Sequence, residues 1–269
     1  MPVKKIKIGI IGVGYVGGAA KAWFMRQKNV QLFLYDKYKK IGSLEEVNQA
    51  DIIFVCVPTP YHQKKGHDES AVVDALSKIK KGKVAVIKST ILPGATEKYQ
   101  KKFPQLKILF NPEFLVAKTA KRDFLNPDRQ IIGYTSKSRQ VAGKVLGLLP
   151  KAGYAMTLAA TEAELIKYFC NSFLATRVIF ANQLYDLCEK LGVSYKNVKS
   201  GAAADPRIGG SHFNVFDEGY RGYAGACLPK DTKALIDFSR KTGVPQELLE
   251  VVDRINERLM KKNKKPSYA

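Results

Sequence analysis

Metal-binding and disulfide chemistry have little to work with in this chain. Its 269 residues hold four cysteines, Cys56, Cys170, Cys188 and Cys227, with no Cys-x-x-Cys pair, and three histidines. That spacing offers neither a zinc site nor a disulfide framework, and reduced thiols in a cytoplasmic protein are the simple expectation. His62 and His67 fall in the polar stretch "YHQKKGHDES", which reads as a loop, so no metal ligand is assigned. No apolar run approaches the roughly 20 residues that a bilayer-spanning helix needs. The opening "MPVKKIKIGIIGVGYVGG" is too short in its apolar part for a span and has glycines where a signal peptide has leucines, so it reads as a strand entering a turn. Acidic residues are also scarce: 24 Asp+Glu stand against 45 Lys+Arg, a formal net charge of +21. Such an excess favours phosphorylated or polyanionic ligands and speeds their encounter. The lysines are scattered through "KKIK", "DKYKK", "KIKKGK" and "KYQKK" without an aromatic-interleaved basic module, so no specific nucleic-acid partner is expected.

What the chain does have is enough apolar content, 45%, to bury a core. Short β-rich runs, "KIKIGII", "VQLFLYD", "ADIIFVCVP", "KVAVIKST", "LKILFNPEF" and "QIIGYTS", alternate with helical stretches up to about residue 136. The nearly continuous apolar run "ADIIFVCVP" suits a strand covered on both faces. Together they predict a doubly wound parallel sheet with right-handed crossovers, closed by "QIIGYTS". After Pro150 the pattern changes, which divides the chain into domains at 1–150 and 151–269. A helix beginning at a Thr161/Glu164 capping box runs without proline or glycine to a stop at Gly192. At about 1.5 Å per residue it extends roughly 45 Å, long enough to bridge to a partner or a second domain. A further helix, "PQELLEVVDRINERLMKK", follows, and the tail "KKNKKPSYA" reads as a solvated, frayed end.

Gly12-Val13-Gly14-Tyr15-Val16-Gly17 is the first motif with chemistry. It follows a strand and opens a helix, and Asp36 ends the next strand at the offset of about 20 residues expected of a dinucleotide fingerprint. Glycines let the backbone approach a pyrophosphate at a helix N-terminus, and Asp36 can bind ribose hydroxyls. The Asp36 carboxylate would repel a 2′-phosphate, which favours NAD, although Lys37, Lys39 and Lys40 work against that preference. In an open α/β sheet, ligands lie beyond the carboxyl ends of the strands, where Val57, Thr59, Ser89 and Thr90 fall. Near the other end, "GYAGACLPKD" packs a thiol, an ammonium and a carboxylate behind two glycines. Taken alone, Cys227 reads either as small buried filler or as a reactive thiol.

The order of "GVGYVG", "VPTP", "KSTILPG", "NPEFL", "RDFLNPDRQIIG", "EAELIKYFCNSFLATRVIFANQL", "DPRIG" and "GYAGACLPKDTKAL" resembles the UDP-glucose/GDP-mannose dehydrogenase family over about residues 6–258. The resemblance implies a Rossmann-type NAD-binding domain followed by an α-helical dimerisation domain, with the long helix at a homodimer interface. It implies oxidation of a sugar 6-hydroxymethyl group to a carboxylate with two NAD molecules, through a thiohemiacetal and then a thioester on Cys227. UDP-glucose is the leading substrate. The alternatives are GDP-mannose, a UDP-N-acetylhexosamine, or a non-catalytic remnant that binds nucleotides or polyanions.

By position in the motifs, the resemblance implies that Lys167 and Asn171 steady the developing oxyanion, that Asp231 helps Lys167 organise a water, that Glu113 is the general base for thioester hydrolysis, and that Thr90 holds the water. Lys230 approaches the cofactor, alongside Gly12, Gly14, Tyr15, Val16, Gly17, Asp36, Val57, Thr59 and Ser89. Phe114, Leu115, Gly222 and Tyr223 contact the substrate with Glu113, Lys167 and Asn171, and Arg207 reaches the sugar nucleotide, often across a dimer. Three features depart from the family pattern. Ala117 replaces a second glutamate, Ala224 and Ala226 alter the "GYGGSC" loop, and the C-terminal nucleotide-binding domain is expected to be missing.

Overall fold

The computed structural model describes residues 5–216 and 219–262; the basic end 263–269 lies outside the described residues. The chain divides into two compact units, Met1–Lys167 and Tyr168–Ala269.

In the first unit, short β-branched runs form β1 (Ile6–Ile11), β2 (Val30–Tyr35), β3 (Ile52–Val55), β6 (Val84–Ile87), β7 (Lys107–Phe110), β8 (Arg129–Tyr134) and β9 (Tyr154–Ala159) of one sheet, ordered β2-β1-β3-β6-β7-β8-β9. Helices α1 (Tyr15–Phe24), α2 (Leu44–Val47), α3 (Ser70–Ser77), α4 (Ala95–Lys102), α5 (Ala120–Leu125) and α6 (Arg139–Leu146) connect them. Side chains alternate across each strand, so each strand feeds two apolar layers. Ile53, Val55, Ile87 and Phe110 pack into one layer, and Ile52, Phe54, Val86 and Leu109 into the other. Both faces are therefore covered, as the unbroken apolar strands require. The order turns at β1, which pairs in parallel with β2 on one side and β3 on the other. The crevice of a doubly wound sheet opens at such a switch, beyond the carboxyl ends of the strands.

The sheet departs from the all-parallel expectation at β8, which runs antiparallel to β7, with Leu109 opposite Tyr134 and Phe110 opposite Gly133. Residues 111–128 turn back over the carboxyl end of β7, so β8 starts there and returns. Nor does "QIIGYTS" close the sheet: Tyr154–Ala159 adds β9, parallel to β8. Its exposed, mixed composition hid it. Within "YHQKKGHDES", Tyr61–His62 (β4) and Gly66–His67 (β5) pair as a small hairpin rather than a plain loop.

The long helix α7 (Ala160–Leu191) starts in the first unit and continues into the second. Its start is not the Thr161/Glu164 box. The Glu162 carboxylate accepts the Ala159 N–H at 2.9 Å, while Glu164 accepts from Gly94 N–H and from Thr96 N–H and Oγ1 at 2.5–2.8 Å. Glu164 thus caps α4. The stop at Gly192 holds: φ is +65°, and the Val193 N–H returns to the Cys188 carbonyl. Two helices unread in the sequence follow, α8 (Tyr195–Ala203) and α9 (Leu228–Lys241), before α10 (Glu247–Lys262). Ala175, Ile179, Tyr223, Val252 and Leu259 form the second unit's apolar centre. Phe169, Phe173, Phe180, Leu187 and Leu191 of α7 remain exposed. Among the described residues no helix is long and apolar enough to cross a membrane, and no cluster of His, Cys, Asp and Glu could hold a metal ion.

Candidate functional site

The glycine turn after β1 is shaped by three different constraints. Gly12 has φ +88°, and a Cβ there would meet the Cys56 carbonyl oxygen at 2.5 Å. A Cβ on Gly17 would fall 1.9 Å from the Gly12 carbonyl oxygen, so this glycine lets α1 pack against the turn. Gly14, the N-cap of α1, has nothing within 4 Å of where its Cβ would be. Its backbone lies open to a ligand. Tyr15 is exposed and Val16 half-buried beside it.

Asp36 steadies this turn. Its Oδ2 accepts the Val13 N–H at 2.7 Å, and its Oδ1 accepts the Tyr38 and Lys39 N–H groups at 3.0 and 2.9 Å. Burial pushes the carboxyl up, but these three N–H groups and the Lys39 ammonium outweigh it and hold it below the usual range. Oδ2, with one donor, keeps capacity for a ribose hydroxyl. Lys39 is itself turned inward, donating to the Val13 carbonyl at 2.6 Å, which spends one of the three lysines that oppose the NAD preference. Open backbone at Gly14 and a ready carboxylate at the end of β2 fit an NAD adenosine and pyrophosphate. At the ends of β3 and β6, Thr59 and Ser89 are buried, with Ser89 Oγ donating to the Val57 carbonyl at 2.6 Å; Val57 and Thr90 are half-buried. The Thr90 carbonyl lies 3.2 Å from His67 Nε2.

Where β7 leaves the sheet, "NPEFL" holds a buried ion pair. Lys167 Nζ donates to the Glu113 backbone carbonyl at 2.7 Å and to its Oε1 at 2.9 Å, and the Leu115 N–H donates to Oε2 at 2.7 Å. The pair is nearly inaccessible, the two side chains being 4% and 11% exposed. Burial raises the Glu113 carboxyl, yet Lys167's charge and hydrogen bonds hold it below the ordinary glutamate range. Glu113, Phe114 and Leu115 line a cleft of about 560 Å³ with Lys88, Arg122 and Arg129. The Arg129 guanidinium lies over the Phe114 ring, 3.9 Å from its centroid. Ala117 is exposed at the start of a short 3₁₀ turn.

The second unit holds the rest. Cys227 is the N-cap of α9, with Pro229 in the first turn, and is the exposed one of the four cysteines. Backbone N–H groups at a helix N-terminus favour a negative charge nearby. One turn on, Asp231 is buried; its Oδ2 accepts from Asn171 Nδ2 at 2.5 Å, and its Oδ1 pairs with Lys230. Lys230, expected to approach the cofactor, pairs with Asp231. Arg207 is exposed and paired with Asp205. Gly222 (φ +86°) and Gly225 (φ +79°) supply the positive-φ turns of the "GYAGAC" loop, so Ala224 and Ala226 fall at positions that do not need glycine. Tyr223 is buried in the apolar centre rather than facing outward. Asn256 of α10, unread in the sequence, clamps it: Oδ1 accepts the Tyr223 N–H at 2.7 Å and Nδ2 donates to its carbonyl at 3.0 Å.

Sequence reasoning also passed over Lys88, although a lysine directly ending a buried strand was a usable signal. Its side chain is buried and donates to Asn111 Oδ1 at 2.6 Å.

Residues 36–146 match the NAD binding domain of the UDP-glucose/GDP-mannose dehydrogenase family and residues 161–258 its central domain. The chain is 36% identical over 222 residues to UDP-glucose 6-dehydrogenase of Rickettsia bellii, covering 79% of this chain and 50% of that protein. With the Bacillus subtilis enzyme of that name, identity is 30% over 298 residues, covering 94% and 63%. The structure of a UDP-glucose dehydrogenase from the archaeon Pyrobaculum islandicum superposes with a TM-score of 0.84 at 27% identity, covering 96% of this chain and 69% of that one. The chain spans about half the length of the Rickettsia relative. Two adjacent domains of one family, in the family's order and on the elements described above, account for most of the sequence, and the chain belongs to the UDP-glucose/GDP-mannose dehydrogenase family.

Proposed function

We propose that the chain carries the NAD-binding and catalytic parts of a nucleotide-sugar 6-dehydrogenase, acting in the cytoplasm, with UDP-glucose as the preferred substrate over GDP-mannose and UDP-N-acetylhexosamines. The observation that carries this reading is Cys227: an exposed thiol capping a helix, one turn ahead of a buried carboxylate already bonded to Asn171.

NAD, held by the Gly12–Gly17 turn and Asp36, supplies the two-electron acceptor for each oxidation. The chain's own residues do the rest. The sugar's primary alcohol first becomes an aldehyde, giving a hydride to the cofactor and its hydroxyl proton to water. The Cys227 thiolate then adds to the aldehyde carbon, forming a C–S bond and leaving an oxyanion that Lys167 and Asn171 steady as donors. This tetrahedral centre can lose the second hydride, which the flat aldehyde cannot readily do, and the product is a thioester. Glu113 takes a proton from water, with Thr90 as the holding hydroxyl. The water oxygen bonds to the acyl carbon, the C–S bond breaks, and the thiolate and a uronate are released. Asp231 orients Asn171 and Lys230. The exposed α7 face of Phe169, Phe173, Phe180, Leu187 and Leu191 supports a homodimer through the long helix.

Cofactor reduction with a panel of nucleotide sugars tests this directly. Two NADH per uronate with UDP-glucose is expected. No NADH with any sugar would overturn the reading.

A further inference from the structure

A buried carboxylate needs a cation to stay ionised, and the proposed chemistry gives the cation paired with Glu113 a second task. Lys167 both holds the Glu113 carboxylate and, in the reading above, steadies the oxyanion on the sugar carbon. When Lys167 serves the oxyanion, burial raises the Glu113 carboxyl against only the Leu115 N–H and any other nearby cation, which favours protonation and would end its use as a base.

The first unit contains a second ammonium for this purpose. Lys88 directly follows β6, buried, with Nζ 2.6 Å from Asn111 Oδ1 and 5.3 Å from the centre of the Phe124 ring on α5. Asn111 immediately precedes Pro112-Glu113, and its Nδ2 donates to the Ile131 carbonyl at 2.7 Å. One chain of bonds thus joins the residues just past β6 and β7 to the middle of β8, next to the "NPE" turn. The charged and titratable groups acting on Lys88 are Cys56 beyond β3, Glu113 beyond β7 and Lys167 on α7.

We propose that Lys88 is a positioning residue for Glu113: it fixes the Asn111–Glu113 turn and is the cation that keeps Glu113 ionised while Lys167 is engaged elsewhere. The proposal rests on the function read above. Burial brings the Lys88 ammonium down to about 8, with Lys167 adding to the fall and Cys56 and Glu113 opposing it. Lys88 is therefore charged at neutral pH, and its charge is lost as pH rises through about 8. The rate of acid formation should fall over that range.

The test uses Lys88→Met and Lys88→Arg in the full chain, with two readouts. The first needs no turnover: the titration of the Glu113 carboxyl carbon, ¹³C-labelled and assigned by its loss in Glu113→Gln. Lys88→Met should raise the Glu113 midpoint by about one unit or more, and Lys88→Arg should restore it toward wild type. The second is the pH profile of acid formation. Lys88→Met should lower its plateau about tenfold or more and remove the alkaline fall near 8, while Lys88→Arg should keep the plateau and push the fall upward. An unmoved Glu113 titration in a folded Lys88→Met protein overturns the proposal. So does a wild-type pH profile in that variant. If the wild type forms no acid, the function reading fails, yet the Glu113 titration still decides the role of Lys88.

Discussion

The two units prepare their reactive groups in opposite ways. In the first, Glu113 and Lys88, proposed for acid–base chemistry, are buried and already bonded, Glu113 to Lys167 and the Leu115 N–H and Lys88 to Asn111, and the Asp36 carboxylate of the nucleotide turn is likewise held by three backbone N–H groups. In the second, Cys227, the proposed nucleophile, is exposed and follows a glycine-dependent turn, while the carboxylate one turn behind it is buried and fixed. Groups that must hold a charge state need a dry, satisfied environment, because burial makes each charge interaction stronger. A thiol that must reach a carbonyl carbon and later release it needs access. Rigid sheet ends serve the first purpose and a loop feeding a helix N-terminus serves the second.

The largest expected break in this comparison is Cys227→Ala. Acid formation should fall about 10³-fold or more, while NAD affinity by titration calorimetry changes little, because the nucleotide turn lies wholly in the first unit. Acid production within tenfold of wild type would remove Cys227 from the mechanism.

The glycine turn sharpens the contrast between folding and binding. Gly17→Ala forces a Cβ to within 1.9 Å of the Gly12 carbonyl and should destabilise the first unit by about 2–4 kcal/mol in denaturant unfolding. Gly14→Ala meets nothing within 4 Å, so stability should stay within about 0.5 kcal/mol while NAD affinity drops. Equal stability losses in the two variants would mean that Gly14 is structural.

Gly222→Ala tests the loop of the second unit. The residue has φ +86°, and the added Cβ would lie 2.5 Å from Asn256 Oδ1, which is tied to Tyr223 on both sides. About 1–3 kcal/mol of destabilisation is expected. Gly225→Ala, strained in φ but facing open space, should cost less, about 1 kcal/mol.

A last effect is a pH dependence of stability. Burial raises the Glu164 carboxyl to about 7, against the hydrogen bonds it accepts from Thr96 and Gly94. A raised folded-state value means that the native state binds the proton more tightly than the unfolded chain. The resulting stabilisation is full below about 4.5 and is lost as pH rises toward 7. Thermal unfolding of the wild type should therefore show a decline over that range that Glu164→Gln lacks. Parallel profiles for the two proteins would contradict it.

Much of the first unit was legible because its strands are continuous apolar runs bounded by turns, and because glycine spacing and Asp36 report a backbone geometry that few other residues permit. β9 was not legible, since Tyr154–Ala159 is largely exposed and its composition carries no core signal. The reversal of β8 depends on where residues 111–128 travel, which no local pattern encodes. Glu164 looked like a helix cap because it stands three residues after Thr161. It caps a different helix, 68 residues back at Thr96, and long-range capping leaves no spacing to read. In the second unit, Cys227, Asn171 and Asp231 were legible through motif resemblance. Asn256, the clamp on Tyr223, was hidden among the polar residues of an amphipathic helix.

The central proposal, that Cys227 is the nucleophile and Glu113 the base of thioester hydrolysis, is tested most directly by trapping the intermediate. The Glu113→Gln protein is incubated with NAD and UDP-glucose, quenched in acid, digested and read by mass spectrometry. The account predicts an acyl adduct on the peptide containing Cys227, accumulating because thioester hydrolysis has lost its base. Steady production of uronate with no mass shift on Cys227 would contradict it.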